Sequence, residues 1–214
     1  MTLNELYVLN SAIDGQDIYS IPAFSENRLS QMSFDLIKES MIEKGYLEDN
    51  STLSLQGASE VRRIEQFKNA KRYIMILDLT IGCIDEEKGI LLNIKNEIDY
   101  NFSLINVKEV VNILIEVFPD LLTNDGLEDT KSVSSKYVNP RQLLTDYPVK
   151  AETSFTLKIF NNNSSENTNE FYFLSNGKKY YYDCDKHILY EKNSKELKSI
   201  ICLRIRGTAD NVKI

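Results

Sequence analysis

The segment Asn106–Phe118, NVKEVVNILIEVF, returns 87 positions later, without a gap, as Asn193–Ile205, NSKELKSIICLRI. Each copy opens with Asn, carries Lys third and Glu fourth, and then turns apolar. Asn-x-x-Glu is a variant capping box: the Asn side chain accepts from an amide of the first turn while the Glu reaches back to the Asn amide. Both copies therefore read as helix starts. In the first, Val107, Val110, Val111, Leu114, Val117 and Phe118 line one side at helical spacing, and Pro119 ends the helix. In the second, Leu197, Ile200 and Ile201 begin the same kind of stripe. Such an echo restricts the chain to architectures in which one unit is built twice.

The stretches before each copy share a period of two. From Lys71, Tyr73, Met75, Leu77, Leu79 and Ile81 read as one face of a single long strand. The acidic turn Asp85-Glu86-Glu87-Lys88-Gly89 leads to Ile90, Leu92 and Ile94. A turn at Asn96 precedes Ile98, Tyr100, Phe102 and Leu104, so three antiparallel strands feed the first helix. Later, Phe155, Leu157 and Ile159 alternate, the polar loop Asn161–Asn169 follows, and Phe171 and Phe173 resume the pattern. Ser175-Asn176-Gly177 is a hairpin turn, because Asn-Gly takes positive φ readily. Tyr180–Tyr182 and Ile188–Tyr190 complete the set before Asn193. Ahead of all this, Leu3–Ile13, Arg28–Lys44 and Ala58–Phe67 carry helical spacing, with Gly45 as a C-terminal stop.

The expected fold class is α+β: an antiparallel sheet with packed helices, two pseudo-symmetric β-β-β-α halves and an N-terminal helical segment. Residues 1–120 hold the helices and the first half, and 151–214 hold the second. Residues 121–150, with Asn124-Asp125-Gly126, Asn139-Pro140 and Tyr147-Pro148, read as a connector with one helical turn near Gln142. The whole reads as one compact domain.

Chemistry is sparse in this chain. No phosphate-binding loop, dinucleotide fingerprint or nucleophile elbow is present, and a single His leaves Cys/His, Ser-His-Asp and His-based zinc chemistry without partners. Cys83, Cys184 and Cys202 are scattered and read as core thiols of a reduced, cytoplasmic protein. Asp183 and Asp185 beside His187 read as a hairpin tip. No catalytic residue, cofactor or metal is expected, and the expectation is a protein that is not an enzyme. A net charge of −7 disfavours nucleic acid and acidic membranes, and no apolar run is long enough to insert in a bilayer. The partner expected is a protein. Three contact elements follow: the acidic turn Asp85, Glu86 and Glu87; Asn162 and Asn163 in the polar loop; and Tyr180 with Tyr182, which alternation sends to one sheet face opposite Tyr181.

The order of elements adds a family expectation. Met41–Leu47, MIEKGYL, then polar Glu48–Ser51, the pair Leu53 and Leu55, a short helix to Phe67 and a strand from Lys71, resembles the opening of the EspG-type chaperones of type VII (ESX) secretion. The texture is more similar to the EspG-like proteins of low-GC Gram-positive gene clusters that carry LXG toxins. The resemblance spans Leu3–Phe118 by pattern and the remainder by topology. It implies a non-enzymatic cytoplasmic chaperone or targeting factor for a helical type VII substrate, LXG or WXG-like. Two alternatives stand beside it. One is an immunity protein that neutralises a cognate toxin. The other is a winged-helix-like DNA-binding regulator using the N-terminal helices with Arg62 and Arg63, opposed by the acidic balance of residues 1–70.

Overall fold

A computed structural model describes residues 1–23, 31–96, 98–123, 134–162 and 167–207. Among these, nine strands form one antiparallel sheet. Three helices come first: α1 (Leu3–Ser11), α2 (Gln31–Glu43) and α3 (Leu55–Lys68). Four strands follow as a meander, β1 (Arg72–Ile76), β2 (Leu79–Cys83), β3 (Lys88–Lys95) and β4 (Asp99–Asn106), and α4 (Glu109–Val117) and α5 (Pro119–Leu122) succeed them. After β5 (Ser134–Tyr137) and α6 (Pro140–Asp146), a second meander runs β6 (Ser154–Asn161), β7 (Thr168–Ser175), β8 (Lys178–Asp183) and β9 (Ile188–Glu191), closed by α7 (Ser194–Arg206).

The strand order is β4-β3-β2-β1-β6-β7-β8-β9-β5. A four-stranded meander followed by a helix thus occurs twice, the two running outward from the central β1–β6 pair. That pair is antiparallel, with Ile74 opposite Ile159 and Ile76 opposite Leu157. The expected α+β class and the two halves are present, with four strands in each rather than three. The segment read as one long strand is a hairpin. Leu77 takes a left-handed φ of +55° and the chain reverses so that Ile76 faces Leu79. A two-residue reversal inverts the parity, so Tyr73 and Met75 lie on one face of the sheet while Ile81 and Cys83 lie on the other. Neither Gly nor Asn marks that turn, which is why alternation alone ran through it.

Helices cover both faces. On the first, α4, α5 and α7 bury Val110, Val111, Leu114, Leu121, Leu197, Ile201 and Ile205 against Ile74, Ile76, Phe155, Leu157, Ile159, Tyr172 and Tyr181. On the second, two separate layers form. Helices α1–α3 cover Tyr73, Ile90, Leu92, Tyr100 and Phe102, and Leu143 of α6 with Val138 covers Phe173, Tyr180, Tyr182 and Leu189. Close approach of α3 depends on glycine at one position: a Cβ on Gly57 would stand 2.0 Å from the Tyr46 carbonyl oxygen.

The two echoing segments serve their helices differently. Asn193 and Glu196 form the expected capping box, with Asn193 Oδ1 accepting from Glu196 N–H at 2.8 Å and Glu196 accepting from Asn193 N–H at 3.1 Å. Asn106 does not cap. It is the last residue of β4, its Oδ1 accepts from Lys108 N–H at 3.0 Å in a local turn, and α4 starts three residues later without a side-chain cap. Strand pairing claims Asn106 first, since it lies opposite Lys88.

The stretch 121–150 is less a connector than expected. Asn139 and Gln142 form a capping box that starts α6, and β5 pairs with β9 as the last strand of the sheet. The turn Asn124-Asp125-Gly126 lies outside the described residues.

Candidate functional site

A strand buried on both faces reads as a near-continuous apolar run, whereas one covered on a single face alternates. β6 is a central strand and alternates: Phe155, Leu157 and Ile159 are buried under the helices of the first face, while Thr156 and Phe160 are half-buried and Lys158 is exposed on the second. The register carries this pattern across neighbouring strands. Met75 of β1 stands opposite Lys158, and Lys158 stands opposite Asn169 of β7. In the next row Thr156 faces Phe171. Met75, Asn169 and Phe171 are all partly exposed.

The floor so defined lies between the α1–α3 layer and α6. Three strands separated by about 4.8 Å give it a width of roughly 10 Å, the diameter of one α-helix with its side chains. One end is closed by Tyr19, whose ring stacks on Tyr73 at 4.2 Å and on Phe160 at 5.4 Å between centroids. The Tyr19 hydroxyl also donates toward the Met75 sulfur at 3.7 Å. The opposite side is fixed by Phe171 stacked on Phe173 at 5.1 Å, which is itself under α6. Lys158 makes no ion pair among the described residues.

Of the residues expected to contact a partner, several have internal roles. Tyr180 and Tyr182 do share a face, opposite Tyr181, but that face is covered: they are 8% and 3% exposed. The Tyr182 hydroxyl lies 2.9 Å from the Val138 carbonyl, to which it donates, and 2.8 Å from His187 Nδ1. Tyr180 meets the edge of the Tyr147 ring. Burial raises the pKa of both phenols. They belong to the α6 core and offer no contact surface.

Asp85 Oδ1 accepts from the Glu87 and Lys88 amides, which shapes the β2–β3 turn and holds its carboxyl below the usual range. Glu87 pairs with Lys108 and its carbonyl accepts from Val107 N–H at 2.7 Å. Glu86 is exposed in the same turn. Asn162 ties the β6–β7 loop down: its Nδ2 donates to the Ala70 carbonyl at 2.7 Å and its N–H to that of Lys71 at 2.9 Å. Asn163 lies outside the described residues. The acidic turn and Asn162 do meet at one end of the sheet, where Arg72 stands opposite both Cys83 and Asn161.

That end is also stitched to α7. Arg72 donates to the Ile205 carbonyl at 2.6 Å, satisfying a free carbonyl of the helix C-terminus. Beneath it, buried Glu170 accepts from the Tyr172 hydroxyl at 2.7 Å and from Arg204 at 3.0 and 3.1 Å. Burial, then the Glu170 charge, pushes the Tyr172 phenol well above its ordinary value. Among the described residues no group of His, Cys, Asp and Glu is arranged to hold a metal ion. No helix there is long and apolar enough to cross a membrane.

The floor residues were missed by sequence reasoning, although a signal existed. Lys158 in the middle of an otherwise apolar alternation marks a strand covered on one side only. Only its central place in the sheet, which the sequence does not state, makes that unusual.

Fold and floor together define an α+β protein in which, among the described residues, helices lie on both faces of a nine-stranded antiparallel sheet and Lys158 of the central strand β6 stays exposed on one of them. Residues 1–201 match the family described as Domain of unknown function (DUF5081), and the chain belongs to that family. A comparison with curated proteins finds no match.

Proposed function

We propose that the chain is a non-enzymatic binding protein of the chaperone or targeting kind, which lays an amphipathic helix of a partner protein across Met75, Thr156, Lys158 and Phe171. The partners implied by the EspG-like resemblance are helical type VII secretion substrates, LXG or WXG-like. One observation carries the reading: on one face of the central strands, ordinarily the best covered in a sheet, Lys158 is exposed and Met75, Thr156, Asn169 and Phe171 are only partly buried. A helix-in-groove contact needs an apolar floor for the buried stripe and a polar group to set orientation. Met75 and Phe171 supply the first and Lys158 the second. Covering an apolar stripe on a substrate before export prevents its nonspecific association.

The experiment is co-expression of the chain with the leader helices of an LXG or WXG-like protein encoded beside it, followed by co-purification. Wild-type protein should retain the leader, and Met75→Asp with Lys158→Glu should lose it while unfolding at the same denaturant concentration. A toxin domain on the same substrate should stay toxic to the cells. Retention of the leader by the double variant, or protection from the toxin without leader binding, would count against the reading.

A further inference from the structure

Past its first residues, the edge strand β4 lacks the charges, prolines and bulges that keep sheet edges from pairing. Its eight residues run opposite β3 in unbroken register from Lys95–Asp99 to Lys88–Asn106, with no bulge. No charged residue and no Pro occurs from Tyr100 to Asn106. Edges of this length ordinarily carry Lys, Pro or a bulge.

The backbone phase of the edge follows from the chain's own start. Tyr100 N–H donates to the Met1 carbonyl at 2.7 Å, the Met1 ammonium donates to the Tyr100 carbonyl at 3.0 Å, and Thr2 bridges Asp99 in antiparallel sense. Tyr100 therefore points its amide away from β3, and by alternation so do Phe102, Leu104 and Asn106. Met1 and Thr2 already form a two-residue antiparallel addition to this edge. Beyond them, the Phe102, Leu104 and Asn106 amides have no backbone partner among the described residues, and Leu104 is 65% exposed.

We propose that β4 is a dimerisation edge, at which a second copy of the chain adds its own β4 antiparallel, so that the two nine-stranded sheets become continuous. The register is set by the geometry. Pairing centred on Ser103 would bring Asn106 of the second copy onto Tyr100, where Met1 lies. Pairing centred on Ile105 would use only Leu104 and Asn106. Pairing centred on Leu104 uses Phe102, Leu104 and Asn106 together, and β4 ends at Asn106, before the Lys108 that this register would bring opposite Tyr100 and Met1. It places each exposed Leu104 directly across from its counterpart, as an isologous two-fold contact requires. The interface is narrow, so the dimer is a weak one.

Sedimentation of the full chain across a concentration series tests this, with amide exchange as a second readout. Wild type should shift to a dimer toward roughly 100 µM, and the Phe102, Leu104 and Asn106 amides should gain protection over the same range. Leu104→Lys sets like charges across the two-fold and should weaken the dimer at least about tenfold with an unchanged unfolding midpoint. A wild type that stays monomeric at the highest concentration would overturn the proposal. So would a dimer that persists in Leu104→Lys without concentration-dependent protection of these three amides.

Discussion

Replacing Arg204 with Met isolates what ties α7 to the second meander. Glu170 lies 2% exposed with its carboxylate held by Arg204 and by the Tyr172 hydroxyl. Removing Arg204 leaves a buried charge with one neutral donor. Stripping one partner from a buried pair costs about 3–5 kcal/mol. The Arg204 side chain is 42% exposed, so water reaches the vacated space and the loss falls toward about 2–3 kcal/mol. For a chain of this size that is a drop in Tm of roughly 5–10 °C. Urea unfolding followed by circular dichroism measures it directly. Glu170→Gln with Arg204→Met removes the stranded charge as well and should recover at least half of the loss. A cost below about 1 kcal/mol for Arg204→Met, or a double variant as unstable as the sum of the singles, would refute the argument that an orphaned charge dominates.

The capping contrast predicts that Asn193→Ala costs about 1 kcal/mol while Asn106→Ala, which loses a local turn bond and no cap, costs under about 0.5 kcal/mol by the same unfolding measurement. Burial pushes the Glu5 carboxyl up, but hydrogen bonds from Lys44, the Thr2 amide and Ser40 outweigh it and hold the group below its ordinary value. A depressed folded-state pKa gives stability that is present above the unfolded value, near about 4.3, and lost as pH falls through the folded one. Stability should therefore decline on acidification below about pH 4.5, less steeply in Lys44→Met, as pH-dependent unfolding would report. Gly57→Ala, which drives a Cβ into the Tyr46 carbonyl, should cost more than about 2 kcal/mol. Gly15→Ala, with φ of +66° and open space around it, should cost about 1 kcal/mol, which thermal unfolding of the two variants would separate.

Much of the fold was legible because its signals are local. The Asn176-Gly177 reversal, the Asn193 cap and the stripe Val110, Val111 and Leu114 each depend on neighbours in sequence, and each stands as the spacing predicts. Two features failed for a shared reason: strand pairing overrode what the local pattern suggested. Asn106 is drawn into the β3–β4 ladder before it can cap. Leu77 is forced to positive φ because Ile76 and Leu79 pair on either side of it. The Tyr180 and Tyr182 face illustrates a different limit. Alternation assigns two residues to one side but does not say what covers that side. Here the cover is α6, whose start was written in Asn139-Pro140-Arg141-Gln142, a Pro at the first helical position inside a capping box. The candidate floor was hidden for a related reason, since strand order alone makes β6 central and Lys158 unexpected.

Site-specific photo-crosslinking asks whether the floor over β1, β6 and β7 holds a partner helix. A crosslinking residue placed at Lys158 should capture the leader helix of a neighbouring type VII substrate in cells. The same residue at Ser199, exposed on α7 on the opposite face of the sheet, should not. Equal capture from Ser199, or capture of the leader there and none from Lys158, would contradict the account.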